Sequence, residues 1–300
     1  MPTLPMLCLL AAGWALPDVG FGQGGPAPGG AASPDPQALL VEAERALEGC
    51  TSVSAKIVHE AHLFDKHLVG SGIYLQQRSG RVSLTRLELR LQIGDQTSSL
   101  VQVCDGRALW TKRNVLGTEQ LSRIDVEAAS AALQPARDST AIVPGDVLPG
   151  LGGLSDLLKR LGAAFEFTAA QPGRWGNQPA WRLTGRWKPD RLVRLLPEQK
   201  AAIEAGQPAD LSQLPAHLPD QVVVLLLAQE PPLFYRLEYR RVRKGGPASV
   251  DSGGEAIVTM ELRDLDFVTP IDPNRFIYNP GDLPCEDRTA EYIRSLGGEK

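Results

Sequence analysis

The sequence predicts a mostly β, α+β fold, in which an antiparallel sheet is accompanied by an N-terminal and a C-terminal helix. Residues 53–126, 165–187 and 222–267 divide into short extended segments, most of which alternate apolar and polar residues with period two, bounded by glycine or polar turns. Apolar residues recur at helical spacing outside those stretches, at 36–49 and 288–296. Strands and helices do not alternate one for one, as a parallel sheet requires, so neighbouring strands are expected to run antiparallel.

In chain order, the apolar run at 7–16 is too short to span a bilayer and has the length of a signal-peptide core. With small residues at Gly20 and Gly22, residues 1–23 are expected to be a leader, although no Lys or Arg precedes Arg45. Export to the periplasm, with a soluble product after cleavage, is the corresponding expectation. Leu7, not a small residue, precedes Cys8, which speaks against lipid attachment there. Residues 24–34 are Gly, Pro and Ala with one Ser, the composition of a flexible linker. A single domain is expected over 35–300, with a helical insertion at about 190–218.

Asp35 as N-cap, Pro36 at the first helical position, apolar Leu39, Leu40, Ala43 and Leu47, and Gly49 as terminator define the first helix. A run of hairpins follows, with turns expected at Asp65-Lys66, Ser79-Gly80, Gly94-Asp95 and Asp105-Gly106. In the third segment Val82 and Leu84 share one phase, while Leu87, Leu89, Leu91 and Ile93 share the other. That change near Thr85-Arg86 predicts a bulge. Around Pro144, Pro149 and the glycines at 150, 152 and 153 the pattern breaks, and helical spacing begins at Leu154, Leu157, Leu158 and Leu161. Strand alternation returns at 165–167 and at Trp181, Leu183, Gly185 and Trp187. The insertion predicts a helix over 191–205, after which 222–227 is wholly apolar. Tyr235, Leu237 and Tyr239 then oppose Arg236, Glu238 and Arg240, and 257–267 shows a second change of phase.

A formal charge of -4 over 300 residues gives no general attraction for a phosphate backbone, so no nucleic-acid partner is expected. Cys50, Cys104 and Cys285 would remain after leader removal and allow at most one internal disulfide. His59 and His67 are expected on one face and His62 on the other, so they do not converge on a metal. The glycines around 150–153 lack the spacing and the Lys-Ser/Thr of a phosphate cradle, and Ser155 is not in a nucleophile elbow. Glu261, Asp264 and Asp266 fit the wet face of a strand, and Arg240, Arg241, Arg243 and Lys244 a guarded strand end. No catalytic residue, metal or cofactor is assigned.

Val103-Cys104-Asp105-Gly106-Arg107-Ala108-Leu109-Trp110 resembles the Asp-Gly hairpin of the periplasmic outer-membrane lipoprotein carriers, the LolA/LolB-like family. Leu218-Pro219-Asp220-Gln221-Val222, Phe234-Tyr235-Arg236-Leu237-Glu238-Tyr239 and Thr269-Pro270-Ile271-Asp272-Pro273-Asn274-Arg275-Phe276 resemble its closing strands, in order. The chain is identified as an enlarged, divergent member. The resemblance implies an incomplete antiparallel β-barrel wrapped around lid helices, and a non-enzymatic monomer that binds acyl chains, lipid or lipoprotein and meets a membrane-associated partner. An envelope sensor of the same fold is the alternative, and a hydrolase a third. Leu148, Leu151, Leu154, Leu157, Leu158, Leu161, Trp110, Trp181 and Tyr235 are the candidates for cavity or lid. The family's lid-closing arginine has its counterpart in Arg81 or Arg86, without the family's surrounding pattern.

Overall fold

Asp35 accepts the backbone N–H of Gln37 at 3.0 Å and Pro36 takes the first helical position, so α1 (Pro36–Gly49) starts where its cap residues predict. The computed structural model describes residues 33–63, 66–79, 82–93, 96–115, 117–133, 151–216, 218–241 and 254–295. The expected leader, the linker as far as residue 32, turn residues Asp65, Gly80, Gly94 and Asp95, and Arg81, Leu148, Arg243 and Lys244 lie outside them.

Six strands follow α1: β1 (Ser52–Leu63), β2 (Lys66–Ser79), β3 (Val82–Ile93), β4 (Gln96–Cys104), β5 (Ala108–Val115) and β6 (Thr118–Asp125). Each pairs with the next as an antiparallel hairpin. Two helices, α2 (Val126–Leu133) and α3 (Gly153–Ala164), then lead to β7 (Phe165–Trp175) and β8 (Gln178–Trp187). After α4 (Pro189–Leu195) and α5 (Lys200–Glu204) come β9 (Gln221–Leu227), β10 (Leu233–Arg241) and β11 (Glu255–Asp266). The chain closes with β12 (Cys285–Asp287) and α6 (Thr289–Ser295).

The described strands form one sheet in the order β12-β6-β5-β4-β3-β2-β1-β11-β10-β9-β8-β7. Its two edges, β12 and β7, do not pair, so the sheet is an open, incomplete barrel with helices against it. The pairings are antiparallel except at β12, which runs parallel to β6 through Cys285, Glu286 and Asp287. A three-residue strand has too few positions for an alternation to announce it, and the antiparallel expectation failed there.

Two other expectations change, and the expected phase change in β11 is borne out. First, β3 keeps an unbroken register with β2 and β4, so there is no bulge at Thr85-Arg86. Val82 and Leu84 are apolar because the Asp105-Gly106 turn folds beside them: a Cβ on Gly106 would meet Val82 Cγ1 at 3.2 Å and Leu84 Cδ2 at 3.4 Å. The phase change in β11 is a true bulge, since the register slips between Ser54↔Asp266 and Lys56↔Arg263 and Asp264 has φ 51°. Second, the helix expected at 191–205 is broken by Pro197, which lacks an N–H and forces Leu196 out of the helical region to φ -130°, ψ 65°.

Because side chains alternate, each strand has one row facing α1 and α3, here the inner face. Val53, Ala55 and Ile57 of β1, Tyr74 of β2, and Leu87 and Leu89 of β3 form that row in the first half of the sheet. Phe165, Phe167, Leu183, Val222, Val224, Leu226, Phe234 and Leu237 form it in the second. Leu40, Ala43 and Leu47 of α1 fill the space between. Glycine at position 72 permits a close approach of two backbones: a Cβ there would lie 1.7 Å from the Glu88 carbonyl oxygen.

Candidate functional site

α3 owes its place to the spacing of its leucines. Leu154, Leu157, Leu158 and Leu161 repeat at three and four residues, project from one side, and are each at most 1% exposed on the inner face. The helix lies beside α1, and Gly162 lets the two approach, since a Cβ there would meet Leu40 Cδ2 at 3.2 Å. At the C-terminus Lys188 Nζ donates to the Gly162 carbonyl at 2.7 Å and Lys188 N to the Ala164 carbonyl at 2.9 Å, placing a cation where the helix dipole is negative.

The N-terminus is held differently. Gly152 has no side chain to cap the first turn, and the orphan N–H of Leu154 is taken by Gln76 Oε1, 3.1 Å away on β2. The same oxygen accepts the Tyr74 hydroxyl at 2.6 Å. Gln76 is 2% exposed, and burial drives the Tyr74 phenol far above its ordinary range. Gly153 has φ 72°, and a Cβ there would meet Gln76 Oε1 at 2.3 Å, so both its conformation and its contact require glycine. Sequence reasoning missed Gln76 and Tyr74. The available signal was a glutamine in the inward phase of an otherwise apolar strand.

The structure divides the other candidates between the two faces. Trp181 is half-buried against the inner core, and Leu151 is half-buried just before α3. Trp110 lies on the outer face, opposite Val103, with its ring on Tyr278 at 5.7 Å and its Nε1 donating to Asp105 Oδ2 at 3.3 Å. Tyr235 is 1% exposed but belongs to a separate outer cluster with Val223, Leu225 and Ala180. A bulge between Phe234 and Arg236 turns its side chain to that side. Arg86 pairs with Glu88 on the outer face and donates Nη1 to the Arg275 carbonyl at 2.9 Å, so its contact is with the C-terminal segment.

His62 and His67 are cross-strand partners, so they share the outer face and stack at 4.3 Å; the expectation that they face opposite ways took no account of the hairpin register. His59 belongs to the inner row, and burial lowers its pKa. Among the described residues no three His, Cys, Asp or Glu side chains are grouped to hold a metal. The described cysteines Cys50, Cys104 and Cys285 are unbridged, and burial raises the thiol pKa of the first two. No described helix is long and apolar enough to cross a membrane.

No family model matches the chain, and no curated protein matches it. Among solved structures, the Mycobacterium tuberculosis lipoprotein LppX is 10% identical, with 79% of this chain and 98% of that one covered and a TM-score of 0.39. MucB, solved in complex with MucA(peri), is 11% identical, with coverage of 82% and 59% and a TM-score of 0.36. A LolA superfamily protein from Nitrosomonas europaea is 8% identical, with coverage of 82% and 99% and a TM-score of 0.28. These are similarities of general fold at low identity; the incomplete barrel itself rests on the strand order and open edges described above.

Proposed function

We propose that this chain is an exported, non-catalytic binding protein for a hydrophobic ligand, namely an acyl chain, a lipid or a lipoprotein, and that it works as a soluble monomer in the periplasm. The observation that carries this reading is α3. It buries four leucines against the inner face of an open sheet, yet its first turn is tied to that sheet through one carboxamide beside two glycines. Moving such a helix away exposes apolar surface on both partners, which is what an acyl chain needs. On this reading Leu151, Leu154, Leu157, Leu158, Leu161 and Trp181 meet the ligand.

Burial of about ten methylenes at about 0.8 kcal/mol each corresponds to a dissociation constant of about 1 μM. The test is titration with dansyl-undecanoic acid, together with native mass spectrometry of protein purified from a periplasmic extract. Saturable micromolar binding and a co-purified lipid are the expected results. Well-folded protein that binds no acyl probe and carries no lipid removes the proposal.

A further inference from the structure

A cavity of about 50 Å³ lies on the outer face, away from α1 and α3, where β1, β10 and β11 meet the tip of the β7–β8 hairpin. Trp175 forms one wall, and Glu60, Arg236, Glu261 and Arg263 bring charge to it. One water position needs about 10–15 Å³ of such space and about 30 Å³ of liquid volume, so there is room for about three to five waters, or about six to nine heavy atoms bonded together. That is too little for an acyl chain.

The charges are organised. Glu261 is 3% exposed; its Oε2 accepts Arg236 Nη1 at 3.0 Å, and its Oε1 accepts Arg263 Nε. Arg236 Nε is fixed in turn by Glu238 at 2.8 Å. One carboxylate thus holds two guanidinium groups side by side, leaving Nη1 and Nη2 of Arg263 and Nη2 of Arg236 with no partner among the described residues. Glu60 faces them, and among the described residues its one ion pair is a 3.6 Å contact to His67. Behind the wall, the Tyr235 ring meets Trp175 at 4.9 Å, and its buried hydroxyl has no hydrogen-bond partner among the described residues.

We propose that this cavity binds a small zwitterion, an ammonium group and an acid group joined by a short link, as in a free amino acid or an ethanolamine phosphate. The acid group takes the remaining guanidinium donors, and the ammonium group takes the Glu60 carboxylate and the Trp175 face. The two arginines and two glutamates cancel in charge, so an ion of a single sign gains from one pair and is opposed by the other. This site is independent of the acyl-chain reading, and its titrations with free compounds use no acyl probe.

Isothermal titration with phosphoethanolamine and with serine should give saturable binding by at least one of them, at about 0.1–1 mM. Inorganic phosphate and ethanolamine, each carrying one half of the chemistry, should bind at least about tenfold more weakly. Arg263→Gln and Glu60→Gln should each weaken the zwitterion at least about tenfold at an unchanged thermal midpoint. Glu60→Gln leaves the Arg236–Glu261–Arg263 group intact, so it decides the matter if Arg263→Gln unfolds. Sedimentation with vesicles of phosphatidylethanolamine in phosphatidylglycerol, against phosphatidylglycerol alone, separates the sources. A gain removed by Glu60→Gln assigns a lipid headgroup, and binding of the free compounds alone assigns a soluble zwitterion. No saturation by either compound up to about 10 mM together with no vesicle gain, or equal binding of phosphate alone, or binding unchanged in Glu60→Gln, overturns the proposal.

Discussion

Gln76 Oε1 and the backbone N–H of Leu154, 3.1 Å apart, make the polar contact that joins the sheet to the first turn of α3. Both groups are buried, so removing the acceptor leaves a donor unsatisfied, and the Tyr74 hydroxyl loses its acceptor as well. Gln76→Leu should therefore cost about 1–3 kcal/mol in urea unfolding. It should also raise amide hydrogen exchange in α3 before it does so in β1 and β2. Equal acceleration in helix and sheet would show that the contact is not a separate tie but part of one cooperative unit.

Trp110 is held at the outer surface between Asp105 and Tyr278, half-buried. Trp110→Ala should cost about 1–2 kcal/mol, below the about 3–5 kcal/mol of a fully enclosed ring. Its effect should appear as faster proteolysis of the segment 267–284, with binding of an acyl probe unchanged. Leu158→Ala, at 0% exposure, should cost more, about 2–5 kcal/mol. A larger loss at Trp110 than at Leu158 in urea unfolding would contradict this placement of the two side chains.

The inner face was legible because burial there follows strand period and helix period directly: Trp181, Leu183, Gly185 and Trp187 line it as their alternation predicts, as do the α3 leucines. The outer face was not. Much of its apolar surface, such as Val103 under Trp110, is covered by other parts of the chain, and sequence does not reveal which. Trp110 and Tyr235 read as cavity residues because an aromatic in a strand carries no label for its face. Val82 and Leu84 read as a bulge because their cover, the turn at Gly106, lies over 20 residues on. Gln76 shows a further limit, since a buried polar residue is explained only once its partner, 78 residues away, is in place.

The segment between β11 and α6 begins after Asp266 and ends near Asp287, two carboxylates held below their ordinary pKa. Asp266 is lowered by hydrogen bonds from the Thr269 side chain and from the Thr269 and Val268 amides, and Asp287 mainly by the Thr289 side chain and amide. A depressed folded-state pKa gives stability that is present above the unfolded value of about 4 and is lost as pH falls through the folded value. As pH falls below about 4 this segment should loosen. The change should be visible as altered Trp110 fluorescence as the Tyr278 stack opens. Asp266→Asn with Asp287→Asn should flatten that transition; an unaltered acid transition in the double variant would place its cause elsewhere.

His59 should make the protein less stable in mild acid. It belongs to the inner row of β1 with Ile57 and Ala61, and its buried Nδ1 has no hydrogen-bond partner among the described residues. Burial lowers its pKa, and the nearby Glu60 carboxylate only partly opposes this. The unfolded chain therefore takes up a proton at about pH 6.5, before the folded protein does, and folding stability falls as pH drops through that value. This sign follows from a lowered histidine pKa; a raised one would give the reverse. His59→Leu removes both the titrating group and the unsatisfied nitrogen, and exchanging such a group for an apolar one can be neutral or stabilising. Urea unfolding at pH 7.5, 6.5 and 5.5, a series spanning the reference value of about 6.5, should show the wild-type midpoint declining more steeply than that of His59→Leu. If the two midpoints fall in parallel, His59 is already charged at pH 7.5 or is equally reachable by solvent in both states, and its burial has no bearing on stability in this range.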